Sequence, residues 1–276
     1  MKITTLLENT SCRADVVHAH GLSQYIETKN HKILFDMGPS PAIMDNARVL
    51  GVDLAAVDTA VLSHGHDDHS GGLAAFLACN KTAKVYLSRL AFGPYYAVDA
   101  GKEPAFIGVS EEVRAYEDRL TFTGDELEID GELRIFSNVK TADYRSHAND
   151  KLKEKRGEEY PMDEFRHEQN LLLCEDGKAV LLAGCSHRGI VNILRRAEEL
   201  LGRAPDAVFA GFHLHNPGTD ETEPRELVEA VGRELLARQD TVYYTGHCTG
   251  QDAFAILKAQ MGGRLHHMTG GAAVEI

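Results

Sequence analysis

The chain has 276 residues, of which 43% are hydrophobic and 26% are charged, a composition typical of a globular protein that folds in water. A formal net charge of −13 at pH 7 argues against a nucleic-acid partner, which needs a basic surface, and no stretch reaches the roughly 20 apolar residues of a membrane span. The five cysteines are scattered, odd in number and without a Cys-x-x-Cys pair, which predicts a reducing, cytoplasmic location.

Predicted strands dominate the first part of the chain. Apolar runs and turn signals indicate strands over residues 2–7, 22–28, 32–35, 58–62 and 84–87, and a helix over 41–50. Short strands follow over 120–123 and 133–136. An aromatic patch over 90–96 either packs against the core or lines the mouth of a pocket.

A histidine-rich turn directly follows the strand that ends at Leu62. Within residues 64–69, His64, His66, Asp68 and His69 lie between this strand and a helix that we expect to begin near His69. Imidazole and carboxylate groups suit zinc, manganese or iron, and a turn fixed at both ends holds such ligands in place. These four side chains are therefore predicted to bind one or two divalent ions, with zinc preferred. A polar surface turn with incidental histidines is the alternative.

A charged segment over residues 140–168 interrupts this regular pattern. Long loops of this composition are commonly lids over a site. We expect an inserted loop or mobile lid, with residues 165–168 nearest the substrate. The alternative is a solvated run of charges.

The second half repeats the arrangement of strand, turn and helix. Strands are predicted over 171–175, 179–183, 207–210 and 241–245, helices over 190–201, 224–237 and 251–261, and a final strand pair closes the chain. His187, His213 and His247 follow three of these strands, where α/β proteins build their sites. We expect His187 and His247 to join the metal ligands. For His213 three roles stay open: a metal ligand, a hydrogen-bond donor in the pocket, or a residue of the core.

Several segments together resemble the metallo-β-lactamase-fold hydrolases. They are 8–10, 20–23, 33–38, 62–73, 168–171, 184–190, 211–214 and 246–250. Their pattern is similar to a subgroup related to dihydropterin / ribofuranosylaminobenzene 5′-phosphate synthase. The resemblance implies a four-layer αββα sandwich over residues 1–276, and a metal-dependent hydrolase or related transferase acting on a small, phosphorylated or pterin-like metabolite.

The chain departs from the wider family at two places. Residues 141–144 lack the Gly-His-Thr turn that usually carries a third histidine, and Gly-Cys185 stands where Gly-Asp is usual. We expect His187 to supply the missing imidazole, with Cys185 either a ligand or a close neighbour. A second ion held by Asp68, His69 and His247 should then bind more weakly.

The expected mechanism uses a hydroxide on the bound ions, generated because a metal lowers the pKa of its water to about 7. We predict that Asp68 and His213 are catalytic, that Asp36 fixes a histidine tautomer or binds metal, and that His20 and Glu168 face the substrate. Two other functions remain open: a ligand-sensing protein with a vestigial metal site, and a di-iron redox protein. The sequence leaves the oligomeric state open.

Overall fold

The computed structural model describes all of residues 1–276 and contains two seven-stranded sheets. In spatial order, the first sheet consists of Ala273–Glu275, Lys2–Leu7, Ser23–Glu27, Lys32–Phe35, Thr59–Val61, Lys84–Ser88 and Leu120–Thr123. The second sheet consists of Leu265–His267, Val242–Gly246, Ala207–Gly211, Lys178–Leu182, Asn170–Glu175, Leu133–Phe136 and Glu126–Glu128.

Helices cover the outer face of each sheet. The α-helices are Ala42–Val49, Asp67–Ser70 and Leu73–Cys79 in the first half, and Ile190–Leu201, Arg225–Leu236 and Gln251–Met261 in the second. The 3-10 helices are Leu54–Ala56, Arg89–Phe92, Glu111–Arg119, His147–Lys151, His247–Thr249 and Gly262–Arg264. None of these helices combines the length and the hydrophobicity that a membrane span requires.

Three hydrophobic clusters separate these layers. One lies between the two sheets, where Ile33 and Phe35 of the first sheet meet Leu182 and Phe209 of the second. The other two lie between each sheet and its helices. Burying a single large apolar side chain contributes about 1.5–3 kcal/mol, so clusters of this size fix the packing of the layers. The predicted four-layer αββα sandwich is confirmed.

The helix Ile190–Leu201 shows how the sequence sets these layers. Its apolar residues recur at helical spacing, so one face is buried against the second sheet. It ends at Gly202, whose φ of 71° lies in the left-handed region that glycine adopts without strain.

Parallel strands in both sheets point their carboxyl ends toward one edge of the sandwich. In the first sheet, Lys32–Phe35 is parallel to Thr59–Val61, which is parallel to Lys84–Ser88. In the second, Lys178–Leu182, Ala207–Gly211 and Val242–Gly246 are parallel. The turns after these strands therefore gather the polar residues of both halves.

The charged segment 140–168 is ordered by backbone pairing. Its strand Leu152–Glu154 pairs antiparallel with Tyr95–Ala97, which in turn pairs with Ala105–Phe106. Phe165 and His167 are buried although neighbouring residues are charged. The segment is thus more regular than its composition indicated, because a few side chains anchor it, while its predicted mobility stays a prediction.

The last two strands were predicted as a pair, and that prediction was wrong. Leu265–His267 lies at the edge of the second sheet, parallel to Val242–Gly246. Ala273–Glu275 lies at the edge of the first sheet, antiparallel to Lys2–Leu7. The turn between them carries the chain from one sheet to the other, so each strand pairs with an edge that would otherwise lack a partner. A further two-stranded ribbon, His215–Asn216 with Glu221–Thr222, lies outside both sheets.

Candidate metal centre

Histidines from both sheets meet at the edge where the parallel strands end. His64 Nε2 lies 3.3 Å from His187 Nε2, and His69 Nε2 lies 3.2 Å from His247 Nε2. All four imidazoles are buried. The predicted convergence of these turns is therefore observed, while the ligand roles of the individual residues stay predictions.

The first group consists of His64, His66 and His187. The His66 ring centroid lies 4.6 Å from that of His64 and 4.9 Å from that of His187. Nε2 of His66 is buried and has no hydrogen-bond partner. The nearest acidic atom, Asp163 Oδ2, lies 3.8 Å away. A buried nitrogen without a hydrogen bond, on a ring beside two other imidazoles, is what a site for a cation offers.

The second group consists of Asp68, His69, His247 and Cys185. Asp68 Oδ2 lies 3.2 Å from His247 Nε2 and 3.7 Å from His69 Nε2. Cys185 Sγ lies 3.2 Å from His69 Nε2. The donor atoms of all four residues fall within 4.8 Å of one another. Because Cys185 also belongs to a cluster with His64 and His187, its sulfur lies between the two groups.

An oxygen atom holds each of the four paired imidazoles through Nδ1. The pairs are His64 with Ser63 (2.8 Å), His69 with Asp36 (2.6 Å), His187 with Asn149 (2.9 Å) and His247 with Asn9 (2.9 Å). An oxygen that accepts the Nδ1 proton fixes the tautomer and leaves a lone pair on Nε2. The Nε2 atoms of each imidazole pair therefore face each other, with opposed lone pairs when both rings are neutral.

This arrangement fits divalent metal ions. The lone pairs of His64 and His187, 3.3 Å apart, repel each other, whereas a cation beside them accepts both. Between His69 and His247, 3.2 Å apart, either a proton or a cation can lie. Nitrogen donors with one carboxylate and one sulfur suit zinc, and also iron or manganese in the oxygen-bearing group. The fit rests on the donor atoms and on the oxygens that orient them.

Asp36 connects the two groups. Its carboxylate accepts hydrogen bonds from the Ser63 amide (2.7 Å), the Ser63 hydroxyl (2.7 Å) and Nδ1 of His69 (2.6 Å). Because the Ser63 hydroxyl donates to Asp36, its oxygen accepts from His64. This geometry supports the orienting role, one of the two predicted for Asp36, and that role stays a prediction.

The protonation states in the metal-free protein differ between the groups. Burial and the neighbouring imidazoles lower the pKa of His64 and of His187 well below the ordinary value, which keeps both neutral as metal binding requires. Burial also lowers the pKa of His69, but the carboxylates of Asp68 and Asp36 outweigh it and raise that pKa to about 9. A cation in the second group must therefore displace a proton near neutral pH.

Backbone conformations in the left-handed region cluster around the centre. Asp36, Ser186, His213 and His247 have φ values of 56°, 59°, 48° and 50°. A residue other than glycine pays about 1–2 kcal/mol in this region. Such strain gathers at functional sites, because surrounding contacts must hold it in place.

A cavity of about 180 Å³ opens in front of the two groups. Its apolar wall consists of Ala97, Ile107, Leu152 and Pro217. Its polar lining includes Lys151 and three predicted metal ligands, His66, Asp68 and His187. The dimensions suit a small metabolite or the reacting end of a larger one.

His20 faces this cavity, as predicted for a substrate residue. Its Nε2 lies 3.4 Å from Asp68 Oδ2, and its ring lies 4.7 Å from that of His247. Burial and His247 lower the pKa of His20 to about 4, so it is neutral at pH 7. Its contact with substrate stays a prediction.

Glu168 lies behind the centre and does not line the cavity. Its two oxygens accept hydrogen bonds from the backbone amides of His187 (2.6 Å) and Arg188 (3.0 Å). Burial raises the pKa of Glu168 to about 7, against the effect of these two amides. The geometry supports a role in shaping the turn that carries His187, and its predicted substrate role stays untested.

His213 lines the cavity with its ring 4.2 Å from that of His187. Neither ring nitrogen has a hydrogen-bond partner. Its donor atoms lie with those of Cys185 and Cys248 within 4.8 Å of one another. The predicted catalytic role of His213 stays a prediction.

Three residues of the centre escaped the sequence reasoning: Asn9, Asn149 and Asp163. His167 was included only in the range 165–168 that was predicted to lie nearest the substrate. Nδ1 of His167 accepts from the Gly65 amide (2.9 Å), and its Nε2 donates to Asp163 (2.9 Å). The i, i+4 spacing of Asp163 and His167 was a usable signal, whereas nothing local marks either asparagine as a partner of a distant histidine.

Comparisons with known proteins agree with this geometry. The sequence model of a protein family, the metallo-beta-lactamase superfamily, matches residues 20–247. An uncharacterized protein of Methanocaldococcus jannaschii is 29% identical over 266 residues, which cover 92% of this chain and 93% of the relative.

Two further proteins are similar over nearly the whole chain. The 7,8-dihydropterin-6-methyl-4-(beta-D-ribofuranosyl)-aminobenzene-5′-phosphate synthase of Methanocaldococcus jannaschii is 25% identical over 277 residues, covering 91% of this chain and 88% of that protein. A solved structure of a metal-dependent hydrolase of the beta-lactamase superfamily is 26% identical, with a TM-score of 0.83 over 100% of this chain and 99% of the other.

Proposed function

This chain belongs to the metallo-beta-lactamase superfamily, and from that premise we propose that it hydrolyses a small anionic metabolite with the help of divalent metal ions. The observation that carries the proposal is the two opposed pairs of imidazole nitrogens, each oriented from behind by an oxygen atom, beside a cavity that His66, Asp68 and His187 line. Zinc is the proposed metal, with manganese or iron as alternatives.

We propose that His64, His66 and His187 hold one ion, and that Asp68, His69 and His247 hold a second. When bound, such ions polarise an electrophile and lower the pKa of a coordinated water to about 7. The second ion should bind less tightly at neutral pH, since the His69 pKa of about 9 means that a proton competes for its place.

Asp68 is the proposed proton acceptor. The imidazoles of His69, His247 and His20 around it outweigh burial and lower its pKa well below the ordinary value, so it is a carboxylate at neutral pH. Its side chain is 17% exposed, toward the cavity that also contains His20. A carboxylate in this position orients a water molecule and takes up its proton when the water attacks the substrate.

Lys151 supports an anionic substrate. It is the only lysine or arginine among the residues that line the cavity, in a chain with a formal net charge of −13. A lysine ammonium binds phosphate as a point charge. The apolar wall of the same cavity can pack against a flat ring, so a phosphorylated or pterin-like molecule is the substrate class we propose, in line with the product named for the methanogen synthase.

Turnover measurements test this proposal. Protein freed of metal and reloaded with zinc, manganese or iron would be assayed against cyclic and linear phosphodiesters, phosphomonoesters, lactones and thioesters, with bound metal measured in parallel. We expect metal-dependent hydrolysis of an anionic member of the panel, and a loss of at least about 100-fold in kcat for Asp68→Asn. Asp15→Asn, at an exposed carboxylate that pairs only with Arg13, is the matched control.

Two results would contradict the proposal. Full metal loading without turnover of any substrate would favour the ligand-sensing alternative, and oxygen or nitric oxide consumption by the iron form would favour the redox alternative. A Lys151→Ala variant adds a check on the substrate class, since KM should rise for charged substrates and stay unchanged for lactones.

A further inference from the structure

Three neighbouring parallel strands each end close to a residue that can bind a metal ion through sulfur or nitrogen. Lys178–Leu182 leads to Cys185, Ala207–Gly211 leads to His213, and Val242–Gly246 leads to Cys248. The donor atoms of the three residues lie within 4.8 Å of one another, and all three line the cavity. The triad contains no carboxylate, which separates it in chemistry from the group around Asp68.

His213 is the observation that points to a ligand. It is only 5% exposed, and both of its ring nitrogens lack a hydrogen-bond partner. Its backbone has a φ of 48°, in the left-handed region that is uncommon for residues other than glycine. A buried imidazole without hydrogen bonds, on a residue whose backbone is strained, indicates that a ligand binds to one of its ring nitrogens.

Gly211 makes room for one of the sulfur atoms. A Cβ at this position would lie 2.5 Å from Cys248 Sγ, so no other residue fits without displacing the thiol. Apart from a weak contact of 3.5 Å to the carbonyl oxygen of Cys185, the thiol of Cys248 has no hydrogen-bond acceptor. The backbone is therefore shaped around a thiol that contributes little to the hydrogen bonding of the fold.

We propose that Cys185, His213 and Cys248 form an additional cation site that takes a soft metal ion. Two thiolates and an imidazole match the preferences of zinc, cadmium and copper(I) rather than magnesium or manganese. Binding a divalent ion releases the two thiol protons to solvent, and the ion balances the two charges that form. This role is an alternative to the catalytic one predicted for His213 from the sequence.

The additional site adjoins the group around Asp68. Cys185 Sγ lies 3.2 Å from His69 Nε2, so its thiolate is shared between the two when both are filled. Cys248 and His213 have no such shared role, and they are the residues that define the additional site.

Cadmium binding tests the proposal, because cadmium is a soft ion that competes for thiolates. We expect wild-type protein to bind one more equivalent of Cd²⁺ than either Cys248→Ser or His213→Ala. Cys79→Ser, at an exposed cysteine, is the matched control and should bind like the wild type. In cobalt-loaded protein, the thiolate-to-cobalt absorption should fall by at least about half in Cys248→Ser, since the Cys248 sulfur is removed and the Cys185 sulfur no longer binds the ion that is lost.

The outcome can be decided even if a variant folds poorly. A ¹¹³Cd NMR spectrum of the wild-type protein reports the number of sulfur ligands on each ion, and a resonance typical of two sulfurs is expected. Spectra showing at most one sulfur per ion would overturn the proposal. So would a Cys248→Ser variant that keeps every equivalent of cadmium, or one that folds normally and loses all of them.

Discussion

Replacing Asp36 with asparagine should weaken metal binding in a way that depends on pH. The buried carboxylate accepts three hydrogen bonds, two from Ser63 and one from Nδ1 of His69. Asparagine tolerates the left-handed φ of 56° at this position, so the backbone should be preserved. It has only one acceptor oxygen, however, and its amide group presents N–H to a neighbouring donor.

The size of the effect follows from two opposing terms. Loss of a carboxylate that orients a ligand histidine costs about 10–100-fold in metal affinity, or about 1.4–2.7 kcal/mol. Against this, Asp36 helps to raise the pKa of His69 to about 9, and removing it lets the proton leave more easily at pH 7. The loss should therefore be small at pH 7 and larger near pH 9, where about half of the wild-type His69 has already lost its proton.

Competition with a fluorescent zinc chelator at pH 7 and pH 9 measures both affinities. Asp45→Asn is the control, since Asp45 is exposed and pairs only with Arg48. An Asp36→Asn protein with wild-type affinity at both values would refute the orienting role. A loss that is larger at pH 7 than at pH 9 would refute the assignment of the raised pKa to His69.

Three further predictions concern stability and the surrounding contacts. The folded-state pKa of His69, about 9, exceeds its ordinary value of 6.5, so the stabilisation it contributes to metal-free protein is complete below pH 6.5 and lost as pH rises to 9. Urea unfolding of chelated protein between pH 6 and pH 9.5 measures this, and a flat profile would contradict it. Asn149→Ala should weaken zinc binding about 10-fold in the same chelator assay, because the side chain orients a predicted ligand imidazole; unchanged affinity would argue against that role. Gly184→Ala should destabilise the protein by about 1–3 kcal/mol, since its Cβ would lie 2.2 Å from Ser63 Oγ. Gly131→Ala, which meets no atom within 4 Å, should leave the melting temperature nearly unchanged.

The turn at residues 64–69 could be predicted from sequence because its donors are contiguous and follow an apolar strand. His187 and His247 could be placed beside it because each also follows a strand, and the strands are parallel. Neither inference needed knowledge of side-chain contacts. The layer order followed from the same alternation of strands and helices.

The residues that orient the histidines could not be found in this way. Asn9 lies in a loop after the first strand and Asn149 lies in the charged segment, and each reaches its histidine only after the sheets have packed. The regular part of segment 140–168 was likewise hidden, because its order depends on pairing with Tyr95–Ala97, which is distant in sequence. The pairing of the two final strands was predicted wrongly, since the local sequence pattern does not show which sheet edge a strand will join.

The distribution of the predicted ligands along the chain has a consequence for protein synthesis. His64 and His69 emerge from the ribosome early, whereas their opposed partners, His187 and His247, follow strands of the second sheet. A nascent chain lacking the strand Val242–Gly246 thus presents only part of the donor set, and domains generally fold as units. We expect metal to enter after translation is nearly complete, and stalled chains that end before residue 240 should retain far less zinc than full-length chains.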